Sequence, residues 1–557
     1  MICNRFFFWI VFLFVGVATS LAQSDNLLEI KKANLLKGAE GFERLLGDVF
    51  MKHQSSLIYC DSAHFFRDSN RAQLFGNVRI VDEMDPVTTT SRYAEYNGNT
   101  KIAKLREDVV FKNEETTLYT DFLDYNRTTN IANYFNEGRV VDSVNVLTSL
   151  RGRYEVGLER ITFQSDVVLV NPDYTMKTDF LIYLTVPKTA ETKGLTNLVS
   201  SEGNTLDAEK GSFYDTQNKQ FRFFNGTVET ETSRVKAKEL FYDELKMYYE
   251  GKEDVRFFNK EREVEVFGDM GQYYEERSYS LVYGKALVRK YFEKDTLFMI
   301  SDSLISYDSE EDSSSYLLAF RGVKLVKSGL SGISDSLVYN YSDSSIRLFD
   351  DPVLWNEKSQ ISSEKMEFYL VNEVLDRAYM ETDAFSIIQD TLLNFNQMKG
   401  RKMTAYFSDG NIDKLHIEGN GESLYYALEA DTLTQGINRT LSSTVTLTFD
   451  EGAIDRVAYT IRPDGRFIPV QEVDSENSRL EGFAWRVKER PSKAVIDLWR
   501  KPEEINPNAL NLFDLPEEEV RMPNEDEIQK MIENKLKTEG EKRDPNKIYR
   551  LKKKNNE

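Results

Sequence analysis

Residues 233–258 read SRVKAKELFYDELKMYYEGKEDVRFF. One alternating stretch ends in the paired aromatics Phe241 and Tyr242, a polar break follows, and a second alternation closes on Val255, Phe257 and Phe258. Period-two alternation rich in aromatic and β-branched residues, punctuated by Asp, Asn, Gly and Ser, is the pattern of half-buried strands.

Both halves recur along the chain. The first returns as CDSAHFF (60–66), TDFLDY (120–125), TDFLIY (178–183), AKELFY (237–242) and SDSLVY (334–339). The second returns as GNVRIV (76–81), EDVVFK (107–112), SDVVLV (165–170), EDVRFF (253–258) and RGVKLV (321–326), each opening on turn-like residues. Copies follow one another about every 30 residues from 57 to 370. A fixed period with degenerate copies signals stacked supersecondary units, each too small to bury its own apolar face.

Strand parity then assigns faces. In TDFLDY it puts Asp121, Leu123 and Tyr125 on one side, and the same phase selects Phe65, Leu181, Tyr183, Leu240, Tyr242, Leu337 and Tyr339. In the second half it selects Val78, Ile80, Val109, Phe111, Val167, Leu169, Val255, Phe257, Val323 and Leu325. The expected fold is all-β, built from two-strand rungs whose shared apolar face lies inside.

Charge and composition narrow the function. The net charge of −21 disfavours nucleic acid, whose phosphates require clustered Lys and Arg. The three histidines, His53, His64 and His416, have no metal-ligand spacing. No phosphate-binding glycine loop, nucleophile elbow or Cys-x-x-Cys is present, so no catalytic residue, metal or cofactor is assigned and the chain does not read as an enzyme. The recurring Asp61, Asp121, Asp179, Asp302 and Asp335 read as structural groups that bond backbone amides. The acidic loop 308–315 reads as a solvated hairpin tip rather than a calcium site.

The opening residues MICNRFFFWIVFLFVGVATSLAQS carry a basic Arg5, an apolar run and a small-x-small site at Ser20-Leu21-Ala22, the pattern of a cleaved export signal. Cleavage leaves Cys60 as the one cysteine and therefore no internal disulfide. Six of the twelve prolines fall after residue 490, among acidic clusters.

The paired series of SD-x-L-x-Y and G-x-V-x-apolar motifs behind an export signal resembles the OstA/LptA family of lipopolysaccharide-transport proteins, and in particular the OstA-like N-terminal domain also carried by LptD. The resemblance spans about residues 50–390. It implies an elongated open β-jellyroll, or solenoid of stacked two-strand repeats, in the periplasm. Its inward residues would line a groove that shields lipid A acyl chains. It implies as partners lipopolysaccharide, other jellyroll proteins joined through edge strands, and the outer-membrane translocon. The expected organisation is a signal peptide at 1–22, a lead-in at 23–49, the repeated jellyroll at 50–394, variant repeats or a cap at 395–490, and a mostly disordered tail at 491–557 with a short helix around 524–537. The competing expectation is an exported structural or glycan-binding β-solenoid with a filled core and no lipid transport.

Overall fold

Glu107 and Asp108 lie in the middle of the strand Ile102–Asn113, both with positive φ (62° and 50°). Ser165 and Asp166 do the same within Arg160–Val170, and Glu253 and Asp254 within Tyr248–Asn259. Asp and Asn tolerate this left-handed backbone better than most residues, and a short run of it inside a strand makes a bulge that bends the strand without ending it. The ladder shifts register at these points, for example between Arg106 and Val109 against the following strand. The residues expected to be turns before each second half are therefore mid-strand kinks, and each half is half a strand rather than a whole one.

The kink also corrects a face. Asp121 does not share the side of Leu123 and Tyr125: it is exposed at the bend, and its Oδ1 accepts the Asp108 N–H at 3.2 Å. Asp61 lies at the equivalent bend beside Gly76, where its carboxylate accepts from the Asn77 side-chain Nδ2 at 2.9 Å. Thr120, just before the bend, donates its hydroxyl to the Glu137 carbonyl at 2.7 Å. Thr120 and Asp121 thus satisfy backbone groups that the kink frees from the ladder, and Thr178 does so for the Leu195 carbonyl (3.2 Å).

This computed structural model describes residues 26–500 apart from 85–86, 114–115, 309–314, 373, 409–410, 431 and 451–452. The expected export signal, the helix around 524–537 and most of the acidic loop 308–315 lie outside the described residues. The described chain is all-β: 34 strands form one antiparallel sheet in which successive strands pair as a meander. The line of kinks folds this sheet into two wings whose inner faces meet. The lead-in supplies Glu29–Lys32 and Leu35–Ala39, both paired with Phe42–His53. Beyond 395 the same ladder continues with strands of up to 19 residues.

Two places interrupt the rungs. Tyr174–Leu184 pairs with Thr189–Thr192 along one half and Thr196–Ser200 along the other, so one strand is split around Gly194 (φ 80°). Its neighbour is split likewise into Thr205–Ala208 and Ser212–Asp215 around Gly211 (φ 94°). Ser345–Phe349 with Val353–Asn356, and Ser359–Ser362 with Lys365–Val371, form a second broken pair.

Residues 478–500 run back across the sheet as a strap. Gln397, fully buried, donates Nε2 to the Ser478 carbonyl (3.0 Å) and accepts the Leu480 N–H (2.8 Å). Gln360 treats Ala484 and Arg486 in the same way, at 2.7 Å each. Each glutamine imitates the donor and acceptor of a neighbouring strand. The short helix Lys493–Leu498 then buries Ile496 among Phe267, Leu287, Ile300 and Val326, and Arg500 donates to the carbonyls of Lys285 (2.8 Å) and Gly268 (3.0 Å). The first ten residues of the segment read as a tail, 491–500, are thus docked. Gln397→Leu leaves a buried carbonyl and amide unpaired and is expected to cost about 1–3 kcal/mol. Limited proteolysis should show 478–500 cut faster than in the parent protein.

Candidate functional site

The nineteen inward residues expected from parity fall into four register rows on the inner faces of the two wings. One row, at the floor, holds Leu123 between Leu105 and Tyr134 and includes Leu181, Leu240 and Leu337. A second, beside the kinks, holds Val78, Val109, Val167, Val255 and Val323, facing the small residues Ser91, Thr120, Thr178, Gly268 and Ser334. The third climbs one wing through Phe65, Tyr125, Tyr183, Tyr242 and Tyr339. The fourth climbs the other through Ile80, Phe111, Leu169, Phe257 and Leu325. Fourteen of the nineteen are buried; Tyr183, Tyr242, Phe257, Leu325 and Tyr339 are half-buried.

The rows change character along the sheet. From Phe65 to Ile161 the third row alternates large and small, Phe65, Ala72, Tyr96, Ala103, Tyr125, Ala132 and Tyr154, and every member is buried. An aromatic ring on one strand fills the space over an alanine on the next, as close packing requires. Opposite it, Met51, Ile58, Ile80, Phe111, Leu118, Val140, Leu147, Leu169 and Met176 are buried as well. One core cluster runs from Leu28 to Leu181, and a cavity beside Ser56 and Arg127 measures about 10 Å³, room for no more than a water.

Polar pairs latch the wings across this stretch. His53 Nε2 meets the Asn26 carbonyl at 3.2 Å, and its Nδ1 lies 2.6 Å from the Tyr96 hydroxyl on the opposite wing. Because a carbonyl only accepts, Nε2 carries the proton and Nδ1 accepts from Tyr96. Arg127 reaches across to the Asp82 carboxylate and to Ser55 Oγ (2.9 Å), and Asn113 Nδ2 donates to the Tyr154 hydroxyl at 2.6 Å. Burial holds the His53 pKa below its usual 6.5. The folded chain keeps His53 neutral while the unfolded chain protonates near 6.5, so stability is full above that pH and falls as pH drops below it. Melting at about pH 8 and about pH 5 should show this loss, and His53→Gln, which keeps hydrogen-bonding capacity without titrating, should reduce it.

Beyond the first broken rungs the wings part. In the fourth row Leu198, Leu206, Val228, Val235, Phe257 and Val266 are all half-buried, and full burial returns only at Val288 and Met299. In the third row Tyr214, Phe221 and Tyr242 are half-buried, and Tyr249 and Tyr273 are 38% and 40% exposed. The floor here keeps a buried cluster of Ala208, Phe223, Ala237, Leu240 and Val255, with Gly251 opposite Gly271, and Thr178, Thr192, Thr196 and Ser212 join in a buried hydroxyl network (Thr192 to Ser212, 2.9 Å). The opening begins at Tyr174, whose ring crosses to Tyr214 and Phe221 at 6.4 Å each. It ends near Arg262, which lies 4.9 Å over the Tyr341 ring and 3.5 Å from Asp308. A second buried cluster then runs from Ala286 to Leu447.

Parity missed the alanines that complete the packing, the latches and the gate residue Tyr174. The alanines had a visible signal: Ala72, Ala103 and Ala132 each follow a turn by two or three residues at a spacing of about 30. The latches had none, because His53 and Tyr96 are 43 residues apart. Cys60 is buried and its thiol is pushed up to about 12 by desolvation, which makes it a packing residue rather than a nucleophile. Among the described residues no group of three or more His, Cys, Asp or Glu could hold a metal ion.

Comparison with known proteins gives two findings and one negative. Residues 21–179 match the family model of OstA-like proteins. Among solved structures, a similar chain is LptH from Pseudomonas aeruginosa, described as the LptA homologous periplasmic component of the conserved lipopolysaccharide transport device. It is 15% identical at a TM-score of 0.19, over 20% of this chain and 83% of that one. No curated protein matches the chain. The segment matched by the family model contains the alternating rings and alanines of the closed section. Over residues 21–179 the chain is similar to OstA-like proteins.

Proposed function

We propose that this protein is a periplasmic carrier that shields the acyl chains of lipopolysaccharide on their way to the outer membrane, and that it holds them between the wings at residues 183–283. The observation that supports this is the change of exposure along one register row: Met176 is buried, Leu198 to Val266 are half-exposed, and Val288 is buried again. The aliphatic surface left in water there is a cost unless something covers it. Each methylene of a lipid chain removed from water contributes about 0.8 kcal/mol. A dozen methylenes therefore outweigh screened repulsion between exposed carboxylates and lipid phosphates, worth about 1 kcal/mol or less per pair.

Partners follow from the sheet ends. Glu29–Lys32 and Leu35–Ala39 at one end, and Ala453–Thr460 and Asp464–Pro469 at the other, are short strands that each pair along one edge among the described residues. Their other edges pair with a strand of another jellyroll protein of the bridge or of the translocon. Depleting the protein and separating the two membranes should leave lipopolysaccharide at the inner one. Unchanged distribution between the membranes would overturn the reading.

The packed section favours a second reading, an exported structural or glycan-binding solenoid, because the rows from Met51 to Met176 enclose no space for a lipid. It predicts that the protein purified from cells carries no acyl lipid.

A further inference from the structure

The two wings that flank the opening differ in chemistry. One presents Leu198, Leu206, Val228, Val235 and Val266, with Phe257 its one ring. The other presents Tyr214, Phe221, Tyr242, Tyr249 and Tyr273 on five neighbouring strands, with centroids 3.9, 6.0, 4.3 and 5.8 Å apart in that order. In the closed section of the same row an alanine separates successive rings and lets them sink into the core. Here no small residue intervenes, and strands lie only about 4.8 Å apart, so the rings stack on one another and stay near the mouth. A tyrosine in that position places its ring against apolar material and its hydroxyl at the wet boundary.

What meets those hydroxyls is constrained by charge. Glu275 Oε2 accepts from the Tyr249 hydroxyl at 3.2 Å, and Asp173 and Asp215 act on Tyr214, whereas Glu244 is paired with Lys219. Asp215 is at the hairpin tip next to Tyr214. A phosphate or free carboxylate would be repelled here, whereas an uncharged carbonyl would not. Burial pushes the Tyr214 phenol up to about 12, so its O–H is a donor throughout the neutral range.

Resting on the carrier reading above, we propose that Tyr214, Tyr242 and Tyr273, with the ring of Tyr249 stacked among them and its hydroxyl held by Glu275, form a specificity-determining rail that receives the uncharged ester or amide carbonyls joining acyl chains to their polar head. The rail fixes the orientation of the bound amphiphile: chains against the aliphatic wing, linkages along the tyrosine wing, and charged groups away from it.

The test uses the full chain and two probes, the apolar reporter N-phenyl-1-naphthylamine, which has no carbonyl, and monolauroylglycerol, which has one ester. The triple variant Tyr214→Phe, Tyr242→Phe and Tyr273→Phe keeps every ring and removes three hydroxyls. Reporter affinity should be the same in parent and variant, while monolauroylglycerol should displace it about tenfold less well from the variant. Equal displacement from both proteins would overturn the rail, and so would a matching loss for both probes, which would mark the hydroxyls as supports of the wing. If neither probe binds the parent protein, the carrier reading falls.

Discussion

Phe257→Asp is expected to weaken binding of an acyl-chain ligand about a hundredfold while leaving the fold in place. Phe257 sits in the fourth row between Val235 and Val266, and all three are half-buried. The aspartate stays hydrated in the empty protein, so the folding cost is small. Once a hydrocarbon chain covers the row, the same carboxylate must be desolvated with no partner, and that penalty falls on the complex alone. The measurement is reporter affinity together with a denaturant midpoint. Unchanged affinity with an unchanged midpoint would mean that ligand does not contact this row.

Phe163→Ala should have the opposite signature, a large loss of stability. Phe163 is fully buried at the floor between Gly152 and Leu181. Next to it the Tyr134 ring packs on Gly138 and Gly152, so closely that a Cβ on either glycine would collide with it, and its hydroxyl meets Ser149 Oγ at 2.6 Å. A site held this tightly on every side cannot collapse around a deletion, so the change should cost about 3–5 kcal/mol. Urea unfolding should show the midpoint fall at a constant slope. A loss below about 1 kcal/mol would show that the closed section is loosely filled after all.

Phe163 and Phe257 also mark what was legible in the chain. Which residues face inward could be read because a strand has period two, and Leu123, Tyr125, Val109 and Phe111 announced their side by alternation alone. The phase failed at Asp121, because a left-handed pair on the adjacent strand bends the sheet there and turns the next residue outward. Glu107-Asp108 has turn composition, and only the ladder on both sides reveals that the strand runs through it. The distinction between packed and parted wings was not legible. It depends on where rungs break, at Gly194 and Gly211, and on whether a ring is followed by alanine or by another ring. The strap could not be foreseen either: Gln360 and Ala484 are 124 residues apart, and a lone polar residue in a strand looks like any exposed one.

The continuous trough implied by a row of similar rungs becomes, in the folded chain, a local opening between two packed sections. Tyr174 marks its start, where the buried rows before it leave an acyl chain no path along the interior while the latches hold. Beyond Val288 and Met299 the side chains Leu317, Leu325, Tyr339, Ile346 and Phe368 are half-buried and pack against the second cluster.

Photocrosslinking from single positions in cells tests this most directly. A crosslinker at Phe257 or Tyr242 should capture an acyl lipid, whereas one at Leu123, fully buried in the closed section, or at Lys112, exposed on the outer face, should not. Capture from Leu123 as strong as from Phe257 would contradict the account, because it would place lipid where the protein fills its own interior.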